Sequence, residues 1–78
     1  MSMGTEPTPP QLRFRQDTHG WMNKDSAVSQ LREQGAPGQD VVTFLNTVRE
    51  LQRESKGAGQ VEVLNAAAAA IGAEVHWV

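Results

Sequence analysis

"LREQGAPGQDVVTFLNTVREL", residues 31–51, places a break between two apolar helical runs, and its reading decides how the rest of the chain can fold. Gly35 has no Cβ and suits the left-handed backbone that follows a helix end. Pro37 lacks an N–H and its ring clashes with the preceding turn, so a helix cannot run through it. Beyond the break, Val41, Phe44, Leu45, Val48 and Leu51 fall on one stripe with i, i+3, i+4, i+7 spacing, and Arg49, Glu50, Arg53 and Glu54 occupy the opposite side. Asp40 near its start and Arg53 and Lys56 near its end complement the helix dipole, and Gly57 and Gly59 stop the run. The spacing predicts a helix over 39–56. Its four charged residues read as a solvated face with weak intrahelical pairing.

Working outward, Asp25 and Ser26 offer N-cap oxygens ahead of Ala27, Val28 and Leu31, which predicts a helix over 25–34. On the other side, Val61, Leu64, Ala68 and Ile71 share a helical face, and the five alanines 66–70 have the highest helix propensity of any residue. A third helix is expected over 60–71, closed by Gly72. Near the two ends the period changes to two. Leu12 and Phe14 alternate with Arg13 and Arg15, and Ala73, Val75 and Trp77 alternate with Glu74 and His76, which predicts short strands at 11–16 and 73–78. If they pair, Glu74 and His76 stand near Arg13 and Arg15, and each such pair is worth ~0.2–1 kcal/mol. The alternation turns Trp77 toward the core and His76 toward solvent. The expected fold is α+β, mostly helical, one domain over 11–78. Residues 1–10 hold three prolines, two threonines and a glutamate and read as a disordered tail.

A chain of 78 residues buries only about 60% of the surface its unfolded form exposes, so its own core is marginal. There is no cysteine, and His19 and His76 are far apart without ligand spacing, so neither a disulfide nor a metal relieves the shortage. Burial against a second copy would, and a homodimer is expected. The cysteine count and a start without basic or apolar leader regions point to the cytoplasm. No apolar run approaches the ~20 residues of a membrane span. The net charge of −2 argues against a chain that coats phosphate backbones.

Catalytic patterns are missing as well. Gly57-Ala58-Gly59 lacks the Lys and Ser/Thr of a P-loop. Asp17 and His19 have no serine placed beside them, and no other pair is spaced as acid and base. The reading is a non-enzymatic protein without a cofactor. Residues 17–23 contain Gly20 and read as a loop, yet carry Trp21 and Met22, large side chains outside any periodic face and of types enriched at interfaces. They are the expected contacts with another protein, which makes the chain a small protein-binding module: an adaptor, regulator or inhibitor of a larger partner.

A second pattern competes. A strand bearing Arg13 and Arg15, a helix ending at Gly35 and then a longer helix resemble, across roughly residues 11–54, the ribbon-helix-helix repressors. That resemblance implies two chains pairing their strands into a ribbon that enters the major groove, with Arg13 and Arg15 on the O6 and N7 edge of guanine. Where those repressors hold a phosphate beside a Ser or Thr this chain has Asp40, which repels one. The protein-binding reading is therefore preferred.

Overall fold

The computed structural model describes residues 9–15, 20–55 and 57–78, and of residues 20–22 the backbone alone. Five elements follow in chain order: β1 (Gln11–Phe14), α1 (Gly20–Glu33), α2 (Gly38–Glu54), α3 (Gln60–Ala70) and β2 (Glu74–Trp77). This is the expected α+β, mostly helical architecture. β1 and β2 pair in parallel, with Gln11 opposite Glu74, Leu12 opposite Val75, Arg13 opposite His76 and Phe14 opposite Trp77. Parallel strands need a crossover connection, and here it consists of all three helices. His76 meets Arg13 as expected. Glu74 meets Gln11 rather than an arginine, because the register sets the first residues of the two strands side by side.

The alternation in β1 sends Leu12 and Phe14 inward and Arg13 outward. The two inward side chains join Ala27 and Leu31 of α1, Val41, Phe44 and Val48 of α2, and Val63, Leu64, Ala67 and Ala68 of α3 in one core. In α2 the predicted stripe is the buried one, with Leu45 and Leu51 half-buried at its margins. α3 is turned relative to the expected face: Val61 is 43% exposed, and Val63 and Ala67 are buried instead. With alanines on every side this helix has no dominant apolar stripe, so contact with α2 decides which face is covered. Trp77 leans on Phe14 at a centroid separation of 5.1 Å and a tilt of 50°, while its indole N–H donates to Asn65 Oδ1 at 3.0 Å. It is half-buried, and His76 is exposed.

The start of α1 differs from the sequence expectation. Helix begins at Gly20, not at 25, so Gly20–Asn23 are helical rather than loop, and Asp25 and Ser26 are exposed mid-helix residues rather than caps. The reason is tertiary. Asn23 is only 3% exposed and donates from Nδ2 to the Arg15 carbonyl at 3.4 Å, and with Ala27 and Leu31 it forms a buried i, i+4, i+8 stripe. Residues 17–19 of the expected loop, residues 1–8 of the expected tail, and Lys56 lie outside the described residues. Pro10 is bonded into the sheet, its carbonyl accepting from the Glu74 N–H at 2.8 Å.

Two helices end in the same way. Gly35 has φ 79° and Gly72 φ 71°. After α1, the Gly35 N–H bonds to Arg32 O and the Ala36 N–H to Leu31 O. After α3, the Gly72 N–H bonds to Ala69 O and the Ala73 N–H to Ala68 O. Both are Schellman turns, which satisfy the last carbonyls through one left-handed residue.

The edge of β1 away from β2 is closed by side chains. Gln34 accepts from the Gln11 N–H and donates to the Gln11 carbonyl, both at 2.7 Å. Gln30 does the same for Arg13, at 2.8 and 2.9 Å. The geometry suits the task, because an i, i+4 step along a helix advances about 6 Å and an i, i+2 step along a strand about 6.6 Å. Each amide thus takes the place of a residue on a third strand.

Two outcomes are expected in urea denaturation. Gly35→Ala should destabilise by ~1 kcal/mol, since space is open around it and only the left-handed backbone resists a side chain, whereas Gly38→Ala should be neutral or stabilising. Equal effects at the two sites would refute this account of the turn. Gln30→Ala combined with Gln34→Ala should cost about 2 kcal/mol, four partly solvated hydrogen bonds at the low end of their usual worth. Replacing both with Glu should cost more, as a carboxylate then faces a carbonyl; a Glu pair as stable as wild type would show that the amide donors carry nothing.

Candidate functional site

Arg49 and Arg53 are one turn apart in α2, so they project from the same side of that helix. Packing of α1 against α2 brings Lys24 beside them, and α3 starts opposite. Between these three helices lies a groove of about 600 Å³ whose floor is formed by the buried side chains of Val48, Val63 and Leu64. Its rim carries Lys24, Arg49 and Arg53 together with the neutral polar Gln52, Ser55 and Gln60. A smaller depression of about 120 Å³ continues it along α2 past Lys24 and Arg49 to Leu45.

Among the described residues, Lys24, Arg49 and Arg53 line the groove and no carboxylate does, although acids outnumber bases in the whole chain. Glu50 and Glu54 follow the two arginines by one residue and point elsewhere on the helix, outside the lining. At the wall formed by α3, the helix opens after Gly59 with no side-chain cap, and Glu62 in its first turn offsets the positive end of the helix dipole. Cations at the rim can hold carboxylates while an apolar side chain between them rests on half-buried Ala58 and the aliphatic stems of Arg49 and Arg53.

The residues singled out in the sequence are distributed differently. The backbone of Trp21 and Met22 belongs to the first turn of α1, which also leads into Lys24; their side chains lie outside the described residues. Arg13 and Arg15 are exposed at and just after β1. β1 has β2 on one edge and the Gln30 and Gln34 amides on the other, which leaves no free edge for pairing with a second β1. On the exposed sheet face His76 Nε2 lies 2.6 Å from Gln11 Oε1. Asp17 and His19 fall outside the described residues.

Arg49 and Arg53 are exposed, as the solvated face read from the sequence expects, but their meeting with Lys24 is not visible there. The i, i+4 arginine pair was the available signal. Among the described residues no three His, Cys, Asp or Glu side chains are grouped to hold a metal ion, and no helix is long and apolar enough to cross a membrane. No protein-family model, curated protein or solved structure matches this chain.

Proposed function

We propose that the protein is a small, non-enzymatic binding module that takes an acidic segment of a larger protein into the groove between α1, α2 and α3. The observation that carries this reading is the rim of Lys24, Arg49 and Arg53 around a buried apolar floor, with no carboxylate among the described lining residues. Opposite charge at a rim steers encounter and sets register, while Ala58 and the aliphatic stems of the rim residues offer apolar surface between the charges. The matching segment alternates Asp or Glu with a Leu, Ile or Phe. Such a module works by occupying its partner, as an adaptor, regulator or inhibitor does, and needs no cofactor. We also propose that it acts in the cytoplasm as a homodimer, since a core this small gains from burying further surface.

A selection of random displayed peptides on the intact chain tests the groove. Enrichment of acidic residues flanking an apolar one is expected, and Arg49→Glu with Arg53→Glu should weaken the selected peptides by roughly tenfold or more, about 1.4 kcal/mol. Affinity should also fall as salt rises. Selected peptides without acidic bias, or unaffected by the double reversal, would overturn the reading, as would retention of duplex DNA at low salt that is lost with Arg13→Ala and Arg15→Ala.

Trp21 and Met22 enter the same turn of α1 as Lys24, and their sequence character makes them the neighbouring contacts. Trp21→Ala should weaken the same peptides while leaving the thermal midpoint nearly unchanged. Joint loss of folding and binding would place Trp21 in the core instead.

A further inference from the structure

The two edges of the sheet are finished differently. The edge of β1 is taken by Gln30 and Gln34, as described. Along the ladder, the Glu74 N–H donates to Pro10 O at 2.8 Å and the Val78 N–H to Phe14 O at 2.9 Å. That phase turns the backbone polar groups of Glu74, His76 and Val78 toward β1 and those of Val75 and Trp77 away from it. Among the described residues, none bonds to the outward N–H or C=O of Val75 or Trp77. β2 is short and carries Glu74, but its residues Glu-Val-His-Trp include no proline and no lysine, and its register with β1 is continuous, without a bulge.

We propose that a second copy of this chain pairs antiparallel along β2, with Val75 opposite Val75 of the partner subunit, giving a four-stranded sheet ordered β1-β2-β2-β1. This rests on the self-association reading above and assigns the surface. In that register the two Val75 residues exchange a pair of N–H···O bonds. Trp77 N–H meets the carbonyl of the partner subunit's Ala73, twice by symmetry. The match at Ala73 is specific, because its own N–H already donates to Ala68 O at 2.9 Å while its carbonyl has no partner among the described residues.

Side chains select both the register and the occupant. On the solvent face, Glu74 comes opposite the partner subunit's His76, an acid beside an imidazole. On the core-facing side, Trp77 comes opposite the partner subunit's Ala73, a large ring beside a methyl group. Sliding by one pair of residues makes as many backbone bonds but sets imidazole against imidazole and Val75 against the second Trp77. The strand is thus complementary to its own reversed sequence, which is the requirement of a two-fold interface. The dimer also relieves a weakness of the monomer, since two short strands alone are a marginal sheet.

The chain has no cysteine, so single cysteines report the register directly. Glu74→Cys and His76→Cys are made as separate full-length variants, one isotope-labelled, then mixed, oxidised and weighed by mass spectrometry. The proposed register puts these positions in a non-hydrogen-bonded pair with Cα atoms about 4.5 Å apart, within disulfide reach. Mixed disulfides between the two variants should predominate; predominance of the His76→Cys homodimer would assign the slid register and overturn the proposal.

Sedimentation of the wild type separates the two levels of failure. A monomer at high micromolar concentration overturns self-association altogether, whereas a dimer without the mixed disulfide overturns only the edge. Val75→Pro supplies a second arm, because the N–H it removes faces away from β1. It should abolish the dimer peak, and a persisting dimer would overturn the proposal. A monomeric wild type whose selected peptides are lost with Val75→Pro would assign the edge to another protein and overturn the second copy as occupant.

Discussion

Because β1 and β2 run parallel, the chain must return to its starting side between them, and everything from α1 to α3 is spent on that return. Two four-residue strands from opposite ends of the chain cannot hold one another alone. They are held because Leu12 and Phe14 complete a core whose remaining members come from helices. The length of the crossover is itself a small burden, as loop-closure cost grows by only ~0.6 kcal/mol per doubling. What matters is that the helical layer offers an apolar surface on which both strands can rest, and Trp77, leaning on Phe14 and bonded to Asn65, ties the last strand to both layers.

The amides of α1 set the remaining geometry. Asn23, Gln30 and Gln34 reach Arg15, Arg13 and Gln11 in turn, so the helix runs antiparallel to β1 and fastens it at three levels. A neutral amide is the side chain for this, since it offers donor and acceptor together and satisfies both backbone groups of one residue. Glutamine has the reach from an exposed helix face, while the shorter asparagine serves at the buried first turn. This pattern also explains why α1 starts early: the Asn23 contact requires helix at Asn23, and that outweighs the capping oxygens of Asp25 and Ser26.

What could be read from the sequence follows the same division between local and tertiary causes. α2 was legible because Val41, Phe44 and Val48 form a strong stripe bounded by Pro37 and glycines, and the two Schellman glycines were legible because only glycine is at ease there. The strands were legible from period two, but not their parallel direction or register. The first turn of α1 was missed because its cause, burial of Asn23, is a contact with another element. The covered face of α3 was missed because an alanine run has no preferred side. The groove divides in the same way: Arg49 and Arg53 were visible as a pair, but the arrival of Lys24 is a consequence of packing α1 against α2. Gln30 and Gln34 carried no signal beyond an i, i+4 spacing commensurate with a strand.

The described lining of the groove gathers like charges. Like charges at i, i+4 destabilise a helix by a few tenths of a kcal/mol, and Lys24 adds a third cation to Arg49 and Arg53. The negative end of α2 offsets part of that repulsion, and at the uncapped start of α3 the first-turn Glu62 counters the positive helix end. Elsewhere the chain closes its polar groups economically: none of the buried side-chain nitrogen or oxygen atoms described lacks a hydrogen-bond partner, and both Schellman glycines use the left-handed backbone to recover carbonyl bonds. Arg49 and Arg53, one turn apart, concentrate positive charge on one side of α2. The acidic segment proposed above would meet that charge at the rim, over a floor of Val48, Val63 and Leu64 that the fold has already closed.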